Sequence, residues 1–344
     1  MAASIPSFTL NNGQEMHSVG IGCWMGTPGG GQRAYDMCIA SFERGYRHID
    51  TAAGYANEEY VGKAIRDSGI PRSEFFVTTK LRFDAMQLHG VQANKMSPEA
   101  TTTFKSRSTR LSKPSDWTTS TCTSYIGLRV FSDTVPPIFP DLIRITVSKD
   151  GRVYSPDEEP TILQTWAEME QLLETGRVRS IGVSNFSIKT LDILLPHCKV
   201  VPVTNQVELH PCHPQNDLKA YCDAKGILLT AYSPLGRSTI FFEDPTIQKL
   251  AEKNNCTTAQ IVLSWGVQRG TSVVPKSENP ERLLANITLV KLSDEDFATV
   301  DNLHKTPGMH KSLLVFDDKK DGTVFGWTYD QLGWNLKVGG HVVE

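Results

Sequence analysis

Two rhythms alternate along the chain. Short apolar runs read as strands, and each is followed by a stretch whose apolar residues return every three or four positions, as on one face of a helix. Residues 8–16 open with a hairpin turning at Asn12-Gly13. Residues 19–22 then predict a strand. Residues 32–44 predict a helix, with Ala34, Met37, Cys38 and Phe42 on one face and Gly45 as its stop. Strand 46–50, helix 58–68 and strand 75–79 follow. The rhythm resumes with helix 160–175, strand 178–183, helix 187–195, strand 201–209, helix 215–224 and strand 227–232. Helix 258–268, strand 272–274 and helix 280–286 complete it.

Strands alternating with helices imply a parallel sheet covered by helices. Seven strand–helix units and one gap fit a (β/α)8 TIM barrel, an α/β fold that needs ~250 residues. The third helix and fourth strand are the missing parts. A doubly wound open sheet would favour Gly-x-Gly-x-x-Gly after an early strand. Gly29-Gly30-Gly31 lies in a loop and lacks that spacing.

The chain of 344 residues is 39% hydrophobic and 21% charged, which suits a globular protein with a large core. Its net charge of -3 gives no reason to expect nucleic acid or an anionic membrane as a partner. An anion site must therefore be a local cluster. The opening Met1-Ala2-Ala3-Ser4-Ile5-Pro6 lacks a basic segment followed by an apolar one, and no apolar run is long enough to span a bilayer. Seven scattered cysteines without Cys-x-x-Cys point to reduced thiols and a cytoplasmic location. A monomer or weak homodimer is expected.

Candidate chemistry gathers at the ends of two neighbouring strands. Asp50, Tyr55 and Lys80 offer a carboxylate, a phenol and an amine. A phenol with a pKa near 10 is a poor acid at neutral pH. An ammonium within hydrogen-bond range favours the phenolate, and a carboxylate keeps that ammonium charged and oriented. Such a unit suits carbonyl reduction, which needs a proton donor beside a hydride donor. After the last barrel strand, Lys276, Ser277 and Arg282 bring two cations and a hydroxyl to the barrel face where phosphates commonly bind. His210-Pro211-Cys212-His213 offers metal-ligand types, but the spacing is cramped and no second ligand pair is evident, so no metal is expected. A metal-dependent barrel hydrolase would also need clustered His and Asp at strand ends.

Several motifs resemble the aldo-keto reductase family, and fungal members in particular. They are Gly22-Cys23-Trp24, the segment from Asp50 to Tyr55, Thr78-Thr79-Lys80, Gly182-Val183-Ser184-Asn185-Phe186 and Asn205-Gln206-Val207-Glu208-Leu209-His210-Pro211. Ala231-Tyr232-Ser233-Pro234-Leu235-Gly236, Val274-Pro275-Lys276-Ser277 and Phe325-Gly326-Trp327-Thr328 extend the match, which runs over residues 8–80 and 156–304. The resemblance implies an NADPH-dependent oxidoreductase that reduces aldehydes or ketones, with Tyr55 as proton donor. It implies that Tyr232 stacks on the nicotinamide ring and that Ser184, Asn185 and Gln206 bind its carboxamide. Ser233, Leu235 and Gly236 would lie along the pyrophosphate. Lys276, Ser277, Arg282 and Asn286 would hold the adenosine phosphate end. Gly22 and Trp24 join the cofactor-binding set, and Trp24 and the tail around Trp327 are candidate pocket walls. Ala285 stands where many members carry an acidic residue.

Residues 82–150 break the pattern. Residues 106–124 are crowded with Ser, Thr, Lys and Arg and have neither period. The family's fourth strand ends in His-Trp-Pro, whose histidine orients the carbonyl, and no such tripeptide occurs here. With synonymous codons chosen freely, residues 104–130 read two bases out of frame yield a helix-like stretch ending in Leu-Ile-His-Trp-Pro. Tyr125-Ile126-Gly127 written TAC ATT GGC, for instance, contains CAT TGG. The expectation is a single barrel domain over residues 1–344 with an irregular, frame-shifted segment at 82–150. Sequencing the transcript tests this, and an in-frame message encoding the segment as written refutes it. The competing functional reading is a nucleotide-binding pseudoenzyme or regulatory subunit, which would lack the histidine and leave the barrel open on both sides of the gap.

Overall fold

The structure is a computed structural model that describes residues 5–80, 127–132, 155–159, 161–314, 323–324 and 327–343. Most of the expected segment 82–150 therefore lies outside the described residues. A hairpin of β1 (Ser7–Thr9) and β2 (Glu15–His17) comes first, with Gly13 at φ 82 in its turn. It stoppers the N-terminal end of the barrel. Leu10 and Met16 pack on Val203, Phe76 and Leu228, and Asn12 donates from Nδ2 to the Ser180 hydroxyl at 2.6 Å.

Among the described residues, eight strands form one sheet: β3 (Ile21–Gly22), β4 (His48–Asp50), β5 (Phe76–Lys80), β6 (Gly127–Ser132), β7 (Val178–Ser184), β8 (Thr204–Glu208), β9 (Leu228–Tyr232) and β10 (Ser272–Val273). They neighbour one another in chain order. Val19 bridges Val273, and Gly20 donates its N–H to the Val273 carbonyl at 2.9 Å, so the first strand meets the last and the barrel closes. Residues 48, 50, 76, 78, 80, 204, 206, 228, 230 and 232 alternate with Ile49, Val77, Leu229 and Ala231 of the main core. That period of two sends one set inward and the other toward the helices.

The expected open gap is corrected. The fourth position is filled by β6, which runs antiparallel to both neighbours, with Thr78 opposite Phe131 and Gly127 opposite Ser184. The physical reason is that β5 and β7 each present a row of backbone N–H and C=O groups that must be paired. A reversed strand satisfies them as well as a parallel one.

The helices among the described residues are α1 (Gly31–Glu43), α2 (Glu58–Asp67), α3 (Ile162–Glu174), α4 (Ile188–Leu194), α5 (Asn216–Ala224), α6 (Pro245–Lys253), α7 (Thr258–Gln268), α8 (Pro280–Ile287), α9 (Asp294–Asp301) and the short α10 (Tyr329–Leu332). Capping boxes start α3 (Thr161 with Gln164) and α7 (Thr257 with Gln260), and each satisfies two otherwise orphaned N–H groups. Pro245 and Pro280 stand at first-turn positions, capped by Asp244 and Asn279. Periodicity alone does not mark α6, α9 or α10. None of the helices among the described residues is long and apolar enough to cross a membrane.

Candidate active site

The C-terminal ends of β4 and β5 lie side by side, with Asp50 opposite Thr78. Shortly past β4, a single 3-10 turn (Ala53–Tyr55) swings Tyr55 back over the barrel mouth. Lys80 then directs its three N–H bonds at three acceptors: Asp50 Oδ1 at 2.7 Å, the Thr51 carbonyl at 2.9 Å and Tyr55 Oη at 3.2 Å. The Asp50 and Lys80 side chains are only 4% and 3% exposed. Removal of both charges from water is tolerable only if every oxygen and N–H is satisfied. Gln206 completes the set from β8, donating Nε2 to Asp50 Oδ2 at 2.9 Å. Trp24 stands over Tyr55 with ring centroids 5.1 Å apart. His48, on the same strand face as Asp50, places Nδ1 against the His17 carbonyl, toward the stoppered end.

Across the mouth, β7, β8 and β9 bring a second group together. Ser184 Oγ donates to the Gln206 carbonyl at 2.9 Å, and the Asn185 backbone N–H reaches the same oxygen at 2.8 Å. Asn185 holds a left-handed conformation at φ 62, a strained choice that its fixed contacts over-determine. Its Oδ1 accepts from the Tyr232 phenol at 2.9 Å, whereas its Nδ2 is buried with no hydrogen-bond partner among the described residues. A buried donor left unmade costs about 1–3 kcal/mol. The carbonyl of a carboxamide would satisfy it, so this corner fits a nicotinamide.

Beyond β9, Ser233, Gly236, Arg237 and Ser238 all have positive φ, between 48 and 58, and coil the chain tightly. The Gly236 N–H closes this turn on the Ser233 carbonyl at 2.9 Å, and Leu235 is half-buried. A Cβ on Gly236 would sit 2.6 Å from Phe241. Gly22 serves the barrel itself. Its N–H bonds the Pro275 carbonyl, and a Cβ there would meet the Val274 carbonyl at 2.9 Å, so glycine permits closure. Trp327, expected as a pocket wall, is buried in a cluster of the tail with Val324, Tyr329 and Leu332. Asn286 is buried on α8 close to Tyr46, whose phenol donates to the Leu283 carbonyl at 2.9 Å. Phe325 and Gly326 lie outside the described residues.

After β10, the charges are arranged differently from expectation. Lys276 is exposed and donates to Glu278 Oε1. Arg33 of α1 grips the same carboxylate with both prongs, Nε to Oε2 at 2.8 Å and Nη2 to Oε1 at 2.6 Å. Hydrogen bonds from Arg33 and Lys276 hold the Glu278 carboxyl down to about 2. Ser277 is buried and its Oγ accepts the Asn279 N–H at 3.1 Å, while Arg282 is exposed in the first turn of α8. No motif marks Arg33 or Glu278, which stand 245 residues apart in the chain.

Glu208, two residues beyond Gln206 on β8, is another carboxylate whose role sequence reasoning does not reveal. It accepts from His210 Nε2 at 2.9 Å, the Leu313 N–H at 2.7 Å and Ser312 Oγ at 2.8 Å. Burial raises its pKa, but the hydrogen bonds from His210 and the Leu313 N–H, with the two imidazoles close by, together hold it below the ordinary range. Its neighbour His213 accepts at Nε2 from Gln215 at 2.8 Å, and burial pushes its imidazole down to about 4. Among the described residues, no three His, Cys, Asp or Glu side chains converge on a metal position.

The profile of the aldo/keto reductase family matches residues 18–305. The chain belongs to the aldo/keto reductase family. The reductase is 37% identical over 313 residues to aldehyde reductase YPR1 of Saccharomyces cerevisiae, covering 89% of this chain and 93% of that one. It is 37% identical over 308 residues to the NADP(+) glycerol 2-dehydrogenase of the same yeast (87% and 91% covered). Among solved structures it is similar to MGS-M4, an aldo-keto reductase from a deep-sea metagenome library, with TM-score 0.65 and 31% identity over 92% of this chain and 100% of the other. It is likewise similar to a silkworm (Bombyx mori) aldo-keto reductase complexed with NADPH, with TM-score 0.64 and 28% identity over 87% of each chain. This protein is thus an NAD(P)H-dependent oxidoreductase with a (β/α)8 fold.

Proposed function

We propose that the reductase converts aldehydes or ketones to alcohols with NADPH, and that Tyr55 donates the proton. The observation that carries this is Lys80 Nζ bridging Asp50 and Tyr55 at 2.7 and 3.2 Å. As a carbonyl accepts hydride, negative charge grows on its oxygen. Tyr55 neutralises that charge by giving up its phenolic proton, and the ammonium beside it stabilises the phenolate left behind. Asp50, itself held by Gln206, keeps the ammonium aimed. Bound NADPH supplies the hydride. Asn185, with Ser184 and Gln206 beside it, is assigned to the carboxamide, and Tyr232 to the ring face. The turn with Ser233, Leu235 and Gly236 is assigned to the pyrophosphate. Lys276, Ser277 and Arg282 are assigned to the adenosine 2′-phosphate.

The similarity to an aldehyde reductase and a glycerol dehydrogenase favours small aldehydes and glycerol- or sugar-derived carbonyls as substrates. The test is NADPH oxidation across a panel of such aldehydes, with Tyr55→Phe as control. Turnover lost in the variant supports the reading. A second reading, nucleotide binding without turnover, is favoured by the lack of any His-Trp-Pro in the sequence. Tight NADPH binding with no aldehyde consumed would establish it instead.

A further inference from the structure

The charges after β10 bear on coenzyme choice, an inference that rests on the cofactor reading above. A 2′-phosphate seeks cations. Lys276 is already engaged by the Glu278 carboxylate, and Arg33 clamps that carboxylate in place from α1 with two parallel hydrogen bonds. The clamp matters because a bidentate guanidinium fixes position as well as charge. Lys276 holds the carboxylate too, so it stays beside that lysine. The hydrogen bond to Lys276 singles out Glu278 over Glu281, the other carboxylate at this junction.

We infer that Glu278 sets how strongly this reductase distinguishes NADPH from NADH. Its carboxylate takes the place at Lys276 that the 2′-phosphate needs, so NADPH binds only against a fixed neighbouring anion. NADH carries no phosphate there. For it, the same carboxylate is an acceptor for a ribose hydroxyl, the role acidic side chains play in other NAD sites. Arg33 acts in the opposite sense for NADPH, because it offsets the carboxylate's charge while holding it. The reductase should therefore accept both coenzymes with less contrast than the cations Lys276 and Arg282 alone would impose.

The test is the dissociation constant of each coenzyme, measured by tryptophan fluorescence quenching on the full chain, for the wild type, Glu278→Gln and Arg33→Met. Removal of one like charge from beside the phosphate should tighten NADPH about tenfold in Glu278→Gln, and loss of the ribose acceptor should weaken NADH about threefold. Arg33→Met should weaken NADPH and leave NADH nearly as it was. If Glu278→Gln leaves the ratio of the two constants unchanged, or shifts both constants together, Glu278 is only a brace between α1 and the β10 loop and the inference is overturned. If the wild type binds neither coenzyme, the cofactor reading itself fails and takes this inference with it.

Discussion

Two carboxylates at the barrel mouth each hold a lysine: Asp50 holds Lys80, and Glu278 holds Lys276. Both receive a further donor, Gln206 for the first and Arg33 for the second. They differ in their water. The Asp50 and Lys80 side chains are 4% and 3% exposed, whereas Glu278 is 33% and Arg33 58% exposed. In the buried pair each charge is enclosed by further fixed partners, Gln206 on Asp50 and the Thr51 carbonyl and Tyr55 on Lys80, so geometry is fixed and loss of one charge leaves the other without its counter-ion. In the outer pair water screens both charges, so the contact adds little to stability even though the two-pronged grip of Arg33 fixes where the Glu278 carboxylate stands. The same chemistry thus makes a water-free frame in one place and a solvent-screened but positioned charge in the other.

The sharpest way to break this contrast is Lys80→Met. It leaves the buried Asp50 carboxylate without its counter-charge, so unfolding in urea should show a loss of about 3–5 kcal/mol, with turnover abolished. A variant as stable as the wild type would show that Asp50 finds water, and the contrast would collapse. Tyr55→Phe keeps the ion pair and removes only the acid. Turnover should fall about 10²–10⁴-fold with nucleotide affinity unchanged, read from kcat and binding side by side.

His213 sharpens the buried side through pH. Its folded pKa of about 4 lies below the unfolded value of 6.5, so the unfolded chain binds more protons between those values. Stability should therefore rise with pH through that window, and acidification from neutrality should remove up to roughly 3 kcal/mol before the loss levels off near pH 4. Denaturation midpoints in His213→Gln should lose that slope. The smallest effect is expected at the outer pair, where Arg33→Met should leave the urea unfolding midpoint where it is in the wild type. A clear drop would make the Arg33–Glu278 contact a structural clamp.

The barrel rhythm is legible because parallel strands bury both faces and their helices stop at glycine. Gly45 and Gly176, with φ of 103 and 68, end α1 and α3 where the pattern places the stops. α6 escapes the pattern although Asp244 and Pro245 form an explicit start signal, because no strand follows it directly. Asp50, Tyr55 and Lys80 are legible as residue types at strand ends. Their supports are not. Gln206 meets Asp50 across 156 residues of chain, and Arg33 meets Glu278 across 245, and no local pattern marks either pair. The direction of β6 is also invisible, since it is imposed by the two strands it joins rather than by its own residues. A transcript encoding His-Trp-Pro in this place would supply a parallel strand instead, and sequencing it is the direct check.

The grip of Glu208 on Ser312 and Leu313 has a consequence for engineering. The rim segment that starts there is fastened by an anion that is buried from solvent. A graft that exchanges Ser312 would strip that buried carboxylate of its hydroxyl donor and leave it to His210 and the backbone N–H of position 313. Any redesign of the rim must keep a hydroxyl at position 312, or replace Glu208 with a neutral side chain in the same step.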